Sequence, residues 1–289
     1  MREKHKKKKR WIRTVLLILI LFLGLSLLLY PTVANYINSL SFHKVIEDYK
    51  EKVAELDDDA YAEMLAAAHA YNSELAENTM YMSSLSKERS EVYNSLLDFL
   101  GTGVMGYIEI PKADIELPIY HGMSDAVLQS GVGHFEGSSL PVGGNTVHTL
   151  LSGHTGLPSC KLFTDIRKLN LGDTFTVHVL NEVLTYEVES IDTVLPEALE
   201  KLQIEQDKDI CTLFTCTPYG VNTHRLVIRA HRIPTPEKSD STVQDDAKEQ
   251  TLLLSILIPA LIVAFLVILF IILKRRRKKR RSQKGEIKE

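Results

Sequence analysis

Hydrophobic and polar positions follow three rhythms along this 289-residue chain. The first is an unbroken apolar run, which occurs twice. Val15–Tyr30 is interrupted only by Gly24 and Ser26 and stops at Pro31; Leu252–Leu273 is interrupted only by Ser255 and Pro259. A bilayer core of about 30 Å takes about 20 apolar residues. The later run therefore predicts a transmembrane helix, and the shorter one a membrane anchor or signal-anchor. Thr32-Val33-Ala34 imitates a small-x-small cleavage site poorly, so the anchor is expected to stay uncleaved.

The second rhythm is helical. Phe42, Val45, Ile46, Tyr49, Val53 and Leu56 recur at three- and four-residue spacing, with Glu47, Asp48, Lys50, Glu51 and Lys52 between them. Ala-rich Asp59–Asn72 predicts a second helix. Ser84–Leu100, with Val92, Leu96, Leu97 and Leu100 on one stripe, predicts a third, ended by Gly101-Thr102-Gly103. From Gly106 the chain changes to short strand-like runs between Gly, Pro and Asn. These are Gly106–Ile110, Ile115–Ile119, Thr146–Ser152, Thr174–Val179, Thr185–Asp192, Asp209–Cys216 and Arg225–Ala230, with a helix-like insert near Lys161–Lys168. Strands this short and frequent predict an antiparallel barrel or sandwich.

The expected organisation is a basic tip (1–13), an anchor (14–30), a helical region (31–104) and a β domain (105–233). A polar linker (234–250), a second span (251–273) and a basic tail (274–289) complete it.

Charge sharpens this picture. The net charge is -3, yet the two tips, 1–13 and 274–289, together carry +15, leaving -18 on Thr14–Leu273. A nucleic-acid binder would carry its basic residues on the folded domain, so no nucleic-acid partner is expected. Basic flanks on both spans predict cytoplasmic termini and an exported acidic middle in a cell-membrane protein. Three cysteines, Cys160, Cys211 and Cys216, cannot all pair, so a disulfide scaffold is not expected.

Two of the candidate reactive residues occupy strand ends. In Thr212-Leu213-Phe214-Thr215-Cys216 a strand runs into the turn Thr217-Pro218-Tyr219-Gly220, and Cys216 is its last residue. Strand ends that feed loops present reactive groups on a rigid frame. A hairpin symmetric about Gly220/Val221 would set Cys216 opposite Arg225, whose guanidinium can stabilise a thiolate or an oxyanion. His154 ends another strand, after Leu150-Leu151-Ser152-Gly153, and could serve as the acid/base that a cysteine nucleophile needs. On pattern alone, a buried cysteine, a surface histidine and a surface ion pair remain the competing reading. Cys211 is expected on the opposite strand face as a small core residue. Cys160 is expected to be non-catalytic, and His224 to point away from Arg225. His121, His134, His148 and His224 lack metal-like spacing, so neither a metal nor a cofactor is expected. Asp165 and Asp173 are assigned no role in orienting His154.

Thr212-Leu213-Phe214-Thr215-Cys216 resembles the Thr-Leu-x-Thr-Cys signature of sortases. Thr217–Arg225 continues as in their class C, pilin-polymerising branch. Gly106–Pro111, Leu117–Gly122, Ser139–Gly144 and Ser152–Pro158 resemble that branch in the same order. The resemblance implies a mainly β chain, an eight-stranded barrel with N-terminal helices and two transmembrane helices. It implies that Cys216 attacks a Leu-Pro-x-Thr-Gly-like sorting signal, that His154 is the acid/base, and that Arg225 holds substrate and oxyanion. The implied partners are pilin or surface-protein substrates, with a lysine amine of the next pilin or a cell-wall peptide as acceptor. A hydrolytic cysteine peptidase and a non-enzymatic tethered binding domain are the other readings. Class C sortases often carry an Asp-Pro-aromatic lid over the cysteine. Ser73–Met82 has no proline, so a lid here would rest on Met80, Tyr81 or Met82, and a plain helix-to-helix connection is the alternative.

Overall fold

The computed structural model describes residues 2–78 and 86–236, together with 263 and 270. The chain divides into two units, Met1–Thr235 and Pro236–Glu289, and every helix and strand below belongs to the first.

Helix α1 spans Arg2–Ala54 without a break, through Pro31. The helix thus continues beyond the apolar run, which ends before Pro31. A proline removes one i→i−4 bond, and the long stretches on either side suffice to carry the helix across it. Its first half is long and apolar enough to cross a bilayer, and that apolar window is not buried. Its last turns are amphipathic: Phe42, Ile46, Tyr49 and Val53 are buried against strands Val104–Ile110 and Ile115–His121. The Tyr49 hydroxyl donates to the Met105 carbonyl at 3.1 Å and accepts from the Leu180 amide at 2.7 Å, fastening the helix to a strand and to a turn.

Helix α2 (Asp58–Asn78) outruns its predicted end and buries Ala68, Tyr71 and Leu75. Its Asn72 amide group exchanges two hydrogen bonds with Leu140, at 3.0 and 2.7 Å. Helix α3 (Lys87–Ser95) starts at a Ser86 cap and is shorter than predicted. The helix ends at Ser95 with Leu96 extended; Leu97 then takes φ 62° and is buried, while Val92 of the supposed core stripe is 52% exposed. Tyr93, fully buried, is the anchor of α3 instead.

Eight strands close a barrel: β1 (Val104–Ile110), β2 (Ile115–His121), β3 (Val132–His134), β4 (Val147–Ser152), β5 (Thr174–Val179), β6 (Glu182–Val194), β7 (Asp209–Thr217) and β8 (His224–Ile233). Their order around the barrel is β1-β2-β3-β4-β7-β8-β6-β5, with β5 returning to β1. The short helix α4 (Asp125–Ser130) connects β2 to β3. Strand β3, three residues long and with Gly133 at its centre, carries too little pattern to read from sequence.

The antiparallel expectation holds for most pairs but not for β2–β3 and β4–β7, which are parallel. Parallel neighbours need crossover connections; α4 supplies one, and the long excursion from β4 through β5 and β6 supplies the other. Ile108, Ile119, Phe163, Phe175, Tyr186, Leu213 and Ile228 fill the main core. The predicted helix-like insert is a 3₁₀ helix, Leu162–Lys168, which sends Phe163 and Ile166 into that core. Of the two expected spans, only α1 lies among the described residues; the 251–273 run, apart from 263 and 270, lies outside them.

Candidate active site

Strand β7 has two faces with different neighbours. Cys211 and Leu213 point into the main core, while Phe214 belongs to a second cluster with Leu150 of β4 and Val227 of β8. Alternation puts Cys216 on the Phe214 side. That cluster is completed by Met123, Phe135, Val194, Leu202 and Ile204. Cys216 therefore ends an apolar floor outside the barrel core, half-buried, at the edge of the β7–β8 hairpin.

The register of that hairpin pairs Cys216 with Arg225 directly, next to Thr217 with His224. Directly opposed residues have Cβ atoms about 5 Å apart and share a face. His224 takes the other face and meets the Thr223 hydroxyl at 2.9 Å. Arg225 also pairs with Val194 of β6, so its backbone is held from both sides. Its Nη1 donates to the carbonyls of Asn222 and His224, both at 3.1 Å. Nε and Nη2 have no protein partner among the described residues, which leaves part of the fork available for a substrate oxygen.

His154 reaches the same edge from β4. The parallel pairing ends with Ser152 opposite Phe214, two residues short of both His154 and Cys216. Two bonds carry the alignment past the strand end: the Gly153 amide donates to Phe214 O at 3.4 Å, and the Thr215 hydroxyl donates to Gly153 O at 2.6 Å. The His154 carbonyl then accepts from the Phe163 amide at 3.0 Å, and the Gly156 amide donates to the Thr164 hydroxyl at 3.1 Å. The His154 loop is thus braced on the 3₁₀ helix.

Glycine is required at one point of this brace. A Cβ on Gly153 would lie 2.6 Å from Cγ of the buried Phe163 ring. Further along, Gly156 has φ +77° and a Cβ there would meet the Tyr219 ring at 3.1 Å. Tyr219 of the β7–β8 hairpin therefore lies over the His154 loop. Sequence reasoning missed these supports. The two glycines and Tyr219 stand inside the quoted motifs, but only the close approaches reveal what they do.

Other candidates have structural explanations. Burial pushes the thiols of Cys211 and Cys160 up, away from the thiolate. Asp165 pairs with Lys168 at 3.0 Å and Lys161 at 3.8 Å, and Asp173 accepts from the Asn170 amide at 2.8 Å. His134, buried, accepts from the Tyr93 hydroxyl at 2.9 Å and donates to Ser139 O at 2.8 Å; burial drives its pKa down to about 3. His148 bridges Gln203 O at 2.7 Å and the Thr212 hydroxyl at 2.8 Å, and burial lowers its pKa to about 4. It ties the segment carrying Leu202 and Ile204 down onto the apolar floor. Met80, Tyr81 and Met82 lie outside the described residues.

The sortase domain family matches residues 108–233, which contain the whole of this arrangement. Sortase C1 from Streptococcus agalactiae is 49% identical, covers 67% of this chain over 100% of its own, and superposes with a TM-score of 0.65. The chain belongs to the sortase family. The Streptococcus pneumoniae sortase C structure, described as bearing on catalysis and pilin substrate specificity, is 38% identical (68% of this chain, 100% of that one, TM-score 0.59). Sortase A from Bacillus anthracis is 30% identical over 149 residues, 52% of this chain and 68% of that protein. The sortase described here is accordingly a cysteine transpeptidase whose structural neighbours are class C sortases.

Proposed function

We propose that this sortase cleaves a Leu-Pro-x-Thr-Gly-like sorting signal through a thioacyl-enzyme on Cys216 and passes the acyl group to a lysine amine of a pilin subunit. The observation that carries the reading is the convergence of three strand ends: the β7–β8 register sets Cys216 against Arg225, and the β4–β7 register brings His154 to the same edge. The Cys216 thiolate attacks the threonine carbonyl carbon, and the free nitrogens of Arg225 hold the oxyanion. Collapse breaks the C–N bond while His154 donates a proton to the departing amine. His154 then takes a proton from the incoming amine, which attacks the thioester and expels the thiolate, regenerating the enzyme.

The apolar floor of Leu150, Phe214 and Val227 suits the Leu-Pro portion of such a signal. The pilin acceptor is favoured by likeness to the pneumococcal enzyme, whose description names pilin. The unburied apolar half of α1 supports membrane anchoring. With basic residues outside both apolar runs, we read 14–30 and 251–273 as spans, the termini as cytoplasmic and 105–233 as an extracellular catalytic barrel. Mass spectrometry of the enzyme with a sorting-signal peptide tests the core of the proposal. A thioester adduct mapping to Cys216 and absent from Cys216→Ala is expected. An adduct elsewhere, or hydrolysis without amine transfer in the presence of pilin, would overturn it.

A further inference from the structure

The helix that leaves the membrane touches the loop that carries His154. Asn38 Nδ2 donates to the Ser159 carbonyl at 2.8 Å, and Asn35 Oδ1 accepts from the Lys161 amide at 2.9 Å. These bonds tie α1 to the tip of the 155–161 loop, where Leu157 and Cys160 form a β-bridge. The apolar stretch of α1 ends at Tyr30. A helix rises 1.5 Å per residue, so Asn35 stands about 7 Å beyond the hydrocarbon edge, within the outer headgroup layer of about 5–8 Å per leaflet.

What surrounds this clasp suits a lipid surface. Thr155–Leu171 carries Lys161, Arg167 and Lys168 against Asp165 alone, a basic strip on a middle segment that is otherwise strongly acidic. Beside it, over Gly156, sits the tip of the β7–β8 hairpin, where Tyr219 and Val221 are 59% and 65% exposed. An amphipathic aromatic next to an aliphatic side chain is the combination that settles at a membrane interface.

We propose that the 155–161 loop and the Tyr219/Val221 tip form a membrane-contact face, seated on the anionic lipid around the chain's own anchor. The inference rests on α1 being a membrane span. It deepens the proposed function by naming where the groove works: Cys216 opens at the bilayer surface and selects sorting signals that are themselves held there. The clasp through Asn35 and Asn38 fixes the barrel's tilt; without it, the barrel would pivot on the helix.

The test uses the full chain with its single tryptophan removed (Trp11→Phe), reconstituted in phosphatidylcholine–phosphatidylglycerol vesicles with brominated acyl chains. Val221→Trp is expected to emit at shorter wavelength and be quenched by the bromolipid. Lys208→Trp, one residue before the far end of β7, is expected to show neither effect. Asn35→Ala with Asn38→Ala should reduce the quenching at 221 while the protein still floats with vesicles. Tyr219→Trp, a ring-for-ring exchange, keeps the test open if the first variant does not fold. Equal quenching at 221 and 208 in floating protein would overturn the contact face alone. Failure to float would overturn the anchor reading and this inference with it.

Discussion

Adding one methyl group at Gly153 tests how the fold aligns His154 with Cys216. The new Cβ would lie 2.6, 2.9 and 3.0 Å from Cγ, Cδ2 and Cβ of Phe163, a ring with no exposed surface. Carbon atoms pack best at about 3.5–4.0 Å, so either the ring or the strand end must retreat by roughly 1 Å. The ring is locked in the core, and its amide is bonded to His154 O. Much of the shift should therefore fall on Gly153 and be passed to His154. Overpacking of this kind costs about 1–3 kcal/mol, which for a domain of this size lowers Tm by roughly 2–4 °C per kcal/mol. A catalytic group displaced by about 1 Å can cost about 10²-fold in rate. The assay is thermal unfolding alongside steady-state transpeptidation for Gly153→Ala, Phe163→Ala and the double variant. Phe163→Ala is costly by itself, about 3–5 kcal/mol, but it removes the two nearest contact atoms. The methyl at 153 should then cost about 1 kcal/mol less in that background than in the wild type. Equal costs in both backgrounds, or a Gly153→Ala enzyme with wild-type Tm and rate, would refute the argument.

Two further outcomes follow from the same geometry. Arg225→Lys should lower kcat by about 10²-fold, because an ammonium cannot hold Asn222 O and His224 O while presenting a second, fixed donor edge; a variant as fast as the parent would remove Arg225 from oxyanion binding. Stability should fall on acidification. His148 is held neutral with its pKa near 4, below the unfolded value of about 6.5. Its contribution is therefore complete above pH 6.5 and is lost as the pH falls toward 4, by about 2 kcal/mol between pH 7 and pH 5. Urea unfolding of the wild type and His148→Gln across that range should differ in slope by about one proton, and parallel curves would contradict the assignment.

Much of this protein was legible because its signals are local. The buried stripe Phe42, Ile46, Tyr49 and Val53, strand β5 and the span of β7 all follow from residue periodicity. The Cys216–Arg225 pairing was legible too, since a hairpin's register depends on its own turn. Ordered motifs around the three candidate residues identified the family before any distance was known. Other features depend on contacts distant in sequence. That β4 runs parallel to β7, leading the His154 loop toward the end of β7, depends on barrel closure, which no period along the chain encodes. Helix α3 ends at Ser95 and the extended Leu96 carries Leu97 to a buried position, where the helical stripe would have run on to Leu100. Gly153 looks like any turn glycine until Phe163 packs against it. Asn35 and Asn38 are unremarkable polar residues until the fold brings the 155–161 loop to them. Sequence alone determined which residues could do the chemistry and where the long apolar runs lie, because composition and period are properties of neighbouring residues. Tertiary structure decided which of them meet, because that depends on which surfaces close the barrel and bury together.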